Sequence, residues 1–139
     1  MQYHDGRNLE ARVRLHERFS ANPVGLHSWI LAQIDLPVNA SVLEVGCGAG
    51  SFWVANRERI PPAWRVTLTD TSPGMVAEAE RRLGAEHPAF VFGMAAAERL
   101  PLPDASFDGV FAHFMLYHVE DRPRAIHELA RVLRPGGHL

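Results

Sequence analysis

The chain has 139 residues, of which 47% are hydrophobic and 22% charged, and its formal net charge at pH 7 is -2. These values predict one globular domain with a sizeable core, and they give no support to a disordered, fibrous or nucleic-acid-binding class. No run of about 18 apolar residues and no signal-peptide core occurs, so we expect neither a membrane span nor secretion. Cys47 is the single cysteine, which excludes an intramolecular disulfide, argues against a metal site and fits the cytoplasm.

The first third of the chain has the pattern of two amphipathic helices. Apolar side chains stand at helical spacing in residues 8–20 and again in 23–36, with Asn22-Pro23 between the two segments. We expect residues 1–37 to form a helical cap on a single domain that spans residues 1–139.

Strand patterns alternate with helix patterns along the rest of the chain. The predicted strands are residues 41–45, 65–69, 90–93, 107–114 and a fifth that begins at 138–139. Ser72-Pro73 and Asp121-Arg122-Pro123 predict helix starts, whereas Gly84 and Arg134-Pro135-Gly136-Gly137 predict helix ends. This alternation predicts an α/β fold in which helices cover a mostly parallel sheet.

A glycine-rich segment follows the first strand, at the edge of the sheet where such folds bind ligands. Gly46, Gly48 and Gly50 stand at alternate positions, immediately before a predicted helix. Asp70 ends the next strand, where a carboxylate can accept hydrogen bonds from ribose hydroxyls. A ribose-bearing cofactor is therefore the leading hypothesis; the alternatives are a purely structural glycine turn and an acid that caps the turn before Ser72.

The spacing of the glycines separates two classes of cofactor. A dinucleotide fingerprint would place its third glycine at position 51, which is Ser51 here. This spacing, with Glu44 two residues before Gly46, instead suits a cofactor that has no pyrophosphate and whose carboxylate and ammonium ends both need partners near the loop.

Four segments in this order are similar to class I S-adenosylmethionine-dependent methyltransferases, and especially to the quinone-biosynthesis C-methyltransferases. They are residues 42–50, 70–75, 98–108 and 133–139. The resemblance implies a three-layer Rossmann-like sandwich, S-adenosylmethionine as the cofactor and methyl transfer to a small-molecule acceptor. The alternatives are an inactive cofactor-binding module and, less favoured, an NAD-dependent oxidoreductase.

The resemblance also implies roles for individual residues. Glu44 would be oriented toward the ammonium group of the cofactor or a bridging water, Asp70 would hold the ribose hydroxyls, and Met75 would pack against the adenine unless it is only a core residue. The whole implied cofactor set is Glu44, Gly46, Cys47, Gly48, Gly50, Asp70, Thr71, Met75, Ala96, Ala97 and Glu98. Relatives commonly have aspartate at the position of Ala96, so one charge-assisted hydrogen bond to adenine is missing here.

The acceptor side has three candidate bases, which are His113, Tyr117 and His118. His118 follows the fourth strand and is the candidate catalytic residue, because a base is needed when the acceptor carries a proton. His113 lies in the predicted strand and is expected to be a core histidine.

The last residues suggest that the chain is truncated after the start of the fifth strand. The fourth strand would then be an unpaired edge that exposes Val110, Phe111 and Phe114, and we expect copies of the chain to associate through it.

Overall fold

A computed structural model of the chain describes residues 14–15, 18–21, 23–84 and 89–139. Most of the helix predicted at 8–20 lies outside these residues. The elements in chain order are α1 (Leu26–Ala32), β1 (Ser41–Val45), α2 (Ser51–Asn56), β2 (Arg65–Asp70), α3 (Pro73–Leu83), β3 (Phe90–Met94), β4 (Phe107–Phe111), α4 (Arg122–Val132) and β5 (Leu133–His138). Short 3-10 helices occupy Arg57–Arg59 and Leu116–His118.

The strands form one parallel sheet in the order β3-β2-β1-β4-β5. Residues of α1, α2 and α3 pack on one face, in a core that includes Trp53 and Leu68. Residues of α4 pack on the other face, against Leu43 and Val110. The three-layer α/β fold is therefore confirmed, and the strand order reverses between β1 and β4, where such sheets bind ligands.

The helix starts follow the predicted capping residues. Ser72 Oγ accepts a hydrogen bond from the backbone N–H of Met75 at 3.4 Å. The Asp121 carboxylate accepts one from the backbone N–H of Arg124 at 3.0 Å. The helix predicted over residues 23–36 is shorter, because α1 begins only after Gly25.

The secondary structure predicted for the last residues of the chain is wrong in one respect. Residues 134–137 do not merely stop a helix, because β5 begins at Leu133 and pairs with β4. An edge strand tolerates proline and glycine, and the β4–β5 register shifts by a bulge between Phe107 and Gly109. Arg134 Nη1 also donates to Asp108 Oδ1 at 2.7 Å across this pair.

The predicted exposed edge at β4 is consequently also wrong. The backbone of β4 is paired on both sides, with β1 and with β5. Val110 is 0% exposed and Phe111 6%, because each packs in the core on one face of the sheet. Phe114 is exposed, but it lies beyond the strand, which ends at Phe111. Among the described strands, β3 and β5 form the two edges of the sheet. Self-association through a sheet edge stays a prediction, and it would have to use β3 or β5.

A half-buried ion pair between Arg131 and Glu128 attaches the loop before β4 to α4, and it makes stability depend on pH. Arg131 donates to both oxygens of Glu128 and to the carbonyls of Leu100 and Leu102. Its guanidinium and the backbone N–H of Leu100 lower the pKa of Glu128 to about 2.

Because this pKa is lowered on folding, Glu128 stabilises the folded chain above its ordinary pKa of 4.5 and loses that effect as the pH falls towards about 2. We expect Glu128→Gln to cost about 1 kcal/mol of unfolding free energy at pH 7. The difference from the unmodified chain should shrink in urea unfolding at pH 3, with Glu120→Gln as the exposed control. A difference that is the same at both pH values would contradict the assignment.

Candidate cofactor site

The loop between β1 and α2 is built from three left-handed glycines, whose φ angles are 69° at Gly46, 54° at Gly48 and 71° at Gly50. A Cβ at Gly46 would lie 2.8 Å from Met115 Cβ, and one at Gly50 would lie 2.8 Å from Leu83 Cδ1. Apart from its two chain neighbours, no residue in the described part of the chain has an atom within 4 Å of a Cβ placed at Gly48. Two of the glycines are therefore required by packing, whereas Gly48 opens a backbone surface to which a ligand can come close.

Asp70 connects this loop to the start of α3. Its Oδ2 accepts from the backbone N–H of Gly48 and its Oδ1 from that of Ser72, each at 2.9 Å. The turn-capping alternative is therefore seen, but it does not exclude ligand binding, because each carboxylate oxygen has a further lone pair. The carboxylate is half-buried beside the open face of Gly48.

Glu44 lies under the loop as a buried carboxylate with 2% of its surface exposed. Trp53 Nε1 donates to its Oε2 at 2.5 Å, and His113 Nδ1 lies 2.9 Å from its Oε1. Burial raises the pKa of Glu44, while the hydrogen bonds from His113 and Trp53 act in the opposite direction. Both oxygens thus have side-chain partners, Trp53 and His113, which the sequence-based expectation for Glu44 did not include.

Three predicted residues lie around the loop with different exposure. Cys47 is buried, and its thiol lies 3.4 Å from the carbonyl oxygen of Gly48. Burial, with the charges of Glu44 and Asp70, raises the pKa of this thiol, so it is no nucleophile. Thr71 is exposed after β2, and Met75 is half-buried in the first turns of α3.

The predicted adenine segment follows β3 and lies beside Asp70. The backbone N–H of Ala95 donates to the carbonyl of Asp70 at 3.2 Å, and Ala96 forms a bridge with Arg99. Ala97 is buried, Ala96 is exposed and Glu98 is half-buried. This segment can offer apolar contact and backbone groups, but Ala96 has no side-chain acceptor.

The segment after β4 closes the site on its other side. Met115 reaches Gly46, and Phe114 has a left-handed φ of 56°, a strained conformation that often marks functional sites. His118 is exposed at the end of the 3-10 helix, with its ring 4.1 Å from that of Tyr117. His113, expected to be a satisfied core histidine, is mostly buried and has Glu44 as its partner, and no local sequence signal indicated that this residue is the partner.

The described residues contain no group of three or more potential metal ligands, and none of the described helices is long and apolar enough to cross a membrane.

The site suits a ligand with a polar end, a ribose and a flat base. These parts would meet the open face of Gly48, the half-buried Asp70 carboxylate, and the apolar Met75 and Ala97. The residues present therefore fit S-adenosylmethionine.

The chain is similar to several proteins over most of its length. It is 41% identical over 96 residues to the malonyl-[acyl-carrier protein] O-methyltransferase of Serratia marcescens, covering 69% of this chain and 35% of that protein. It is 34% identical over 129 residues to the ubiquinone/menaquinone biosynthesis C-methyltransferase UbiE of Hahella chejuensis, covering 91% and 47%. The chain thus spans less than half the length of these two relatives.

A solved S-adenosylmethionine-dependent methyltransferase from Thermotoga maritima has the same fold. The two chains superpose with a TM-score of 0.68 at 27% identity, over 97% of this chain and 56% of the other. The methyltransferase domain family matches residues 43–139, which include β1, the glycine loop, Asp70 and β5. The chain therefore belongs to the methyltransferase domain family, whose cofactor is S-adenosylmethionine.

Proposed function

We propose that this domain transfers a methyl group from S-adenosylmethionine to a small-molecule acceptor. The observation that carries the proposal is the meeting of the open Gly48 backbone and the Asp70 carboxylate beyond the carboxyl ends of the paired strands β1 and β2. When bound, S-adenosylmethionine supplies an electrophilic methyl group on a sulfonium. The chain then has to align the two reactants and exclude water.

The residues around the loop divide this binding between them. In the proposal Gly46, Gly48 and Gly50 hold the amino-acid end, Asp70 accepts from the ribose hydroxyls, and Met75 contacts the base. Further contacts come from Cys47, Thr71, Ala96, Ala97 and Glu98. Since Ala96 has no carboxylate, the adenine amino group would be bound only by the backbone there.

The acceptor would lie beside the segment that follows β4. Phe114 and Tyr117 are 60% and 58% exposed there, which supports an acceptor with an apolar face. His118 is the proposed proton acceptor for an acceptor that carries an O–H or N–H. A cytoplasmic location stays part of the proposal.

Transfer of a labelled methyl group tests this function. The chain, or a longer protein that contains it, is incubated with tritium-labelled S-adenosylmethionine and a small-molecule cell extract. Separate samples contain demethylmenaquinone or malonyl-acyl carrier protein, which the names of two related enzyme groups suggest. We expect acceptor-dependent transfer of label, and we expect much less transfer from the Asp70→Ala control at a cofactor concentration below the dissociation constant of that variant.

The alternatives give different outcomes in the same experiment. Binding of S-adenosylhomocysteine in calorimetry without transfer to any acceptor would favour the inactive module. Preferential binding of NAD over S-adenosylhomocysteine would contradict the cofactor assignment itself.

A further inference from the structure

Arg82 is a half-buried cation that the proposed methyl transfer does not use. It lies in the last turn of α3. Its Nη1 donates to the carbonyl oxygen of Ala49 at 2.7 Å and to Ser51 Oγ at 3.2 Å. Nη1 carries two N–H groups, so both hydrogen bonds can form together. The guanidinium therefore connects α3 to the glycine loop and to the first residue of α2.

One face of α3 packs directly against the same loop. A Cβ at Gly50 would lie 2.8 Å from Leu83 Cδ1 and 3.4 Å from Ala79 Cβ. Arg82 and Leu83 lie three and four positions after Ala79, so the three side chains share this face of the helix. The apolar contacts bring the helix against the loop, and Arg82 supplies the polar contact beside them.

The glycine loop depends on contacts from outside for its conformation. Gly48 and Gly50 have no side chain that would restrict their backbone angles. Gly48 N–H donates to Asp70 Oδ2 at 2.9 Å, so the end of β2 holds one peptide group of the loop. The peptide group between Ala49 and Gly50 is held from α3, because its carbonyl accepts from Arg82. In the sequence, the open face of Gly48 lies between these two attachments.

We propose that Arg82 is a positioning residue for cofactor binding, which holds the Ala49 carbonyl and so keeps the open face of Gly48 in its binding orientation. A hydrogen bond from a guanidinium to a carbonyl is charge-assisted, and half-burial of the side chain strengthens it. Without this bond the loop adopts further conformations, and the apparent affinity falls with the fraction of chains whose loop can bind. This role rests on the proposed function for the cofactor alone, and its effect on the free loop requires no ligand.

Calorimetry with S-adenosylhomocysteine measures the effect on binding. We expect Arg82→Ala to lower the affinity by about tenfold, which is about 1.4 kcal/mol. Arg81→Ala is the matched control, because it removes the same charge from the neighbouring position of α3. Arg81 donates to both carboxylate oxygens of Glu78, at 2.9 and 2.6 Å, and its side chain is 71% exposed. We expect this control to change the affinity by less than about twofold, since exposed charges are screened.

Hydrogen exchange of backbone amides, followed by NMR in the ligand-free chain, gives a local measure of the loop. Gly50 N–H donates to the Cys47 carbonyl at 3.0 Å, within the loop. We expect it to be protected at least about a hundredfold in the unmodified chain and at least about tenfold less in Arg82→Ala. Leu68 N–H, in the paired strand β2, should exchange alike in Arg82→Ala and Arg81→Ala. A merely structural role for Arg82 would lower the protection of Leu68 and Gly50 together.

The proposal is overturned if folded Arg82→Ala binds S-adenosylhomocysteine as tightly as Arg81→Ala does, or if Gly50 exchanges equally fast in the two variants. If Arg82→Ala does not fold, Arg82→Met replaces it, because methionine keeps an unbranched apolar stem but has no N–H donor in its side chain. In the unmodified chain, a Gly50 amide that exchanges without protection also overturns the proposal. If the unmodified chain does not bind S-adenosylhomocysteine, the cofactor assignment of the proposed function fails, and the exchange comparison still decides the role of Arg82.

Discussion

Asp70→Asn is expected to lower the affinity for S-adenosylhomocysteine by about ten- to a hundredfold, which is about 1.4 to 2.8 kcal/mol. The carboxylate has to accept from the backbone N–H groups of Gly48 and Ser72 and, in the proposed complex, from ribose hydroxyls as well. An amide has one oxygen for these donors and no negative charge. Titration calorimetry gives the affinity, and urea unfolding shows whether the fold is retained.

A loss of affinity could arise from the loop rather than from the ribose, because Asp70 binds both Gly48 and Ser72. A thermodynamic cycle with a 2′-deoxyribose analogue of S-adenosylhomocysteine separates the two effects. If Asp70 contacts the 2′-hydroxyl, the substitution should cost much less affinity for the analogue than for the natural ligand. Equal losses for both ligands would mean that Asp70 acts only by holding the loop.

The parts of the site that sequence reasoning predicted are those fixed by local chemistry. The glycines that follow β1 and the acid that ends β2 can be recognised because strand ends, turns and helix caps depend on a few neighbouring residues. The carboxyl ends of parallel strands then meet at one edge of the sheet. Ser72 and Asp121 became helix caps for the same local reason.

The features that were missed depend on contacts that are distant in the sequence. Glu44 and His113 are 69 positions apart, and only the pairing of β1 with β4 brings them within hydrogen-bonding distance. The proline and glycines of residues 134–137 indicated a break because local propensity disfavours a strand there. Pairing with β4 outweighs that propensity, and the bulge accommodates the residues that do not fit the ladder.

Alanine substitutions at two neighbouring glycines should have opposite main effects. Both Gly46 and Gly48 have a positive φ, so alanine costs about 1 kcal/mol of unfolding free energy at either position. At Gly46 the new Cβ would also lie 2.8 Å from Met115 Cβ, which adds about 1 to 3 kcal/mol. At Gly48 the new Cβ has no atom within 4 Å from the described residues beyond Cys47 and Ala49.

Gly48→Ala should therefore leave the chain folded. It should lower the affinity for S-adenosylhomocysteine by about tenfold or more, equivalent to at least about 1.4 kcal/mol. The reason is that the new methyl group occupies the backbone face that is open to the ligand. Gly46→Ala should mainly lower the unfolding free energy. Urea unfolding measures the stability of both variants, and calorimetry measures their affinity. Gly136→Ala controls for backbone strain alone, because Gly136 also has a positive φ and open space but lies on β5. If Gly48→Ala bound the ligand as tightly as Gly136→Ala does, the open face of Gly48 would not be where the cofactor approaches, and the loop would have to bind it from the side of Ala49.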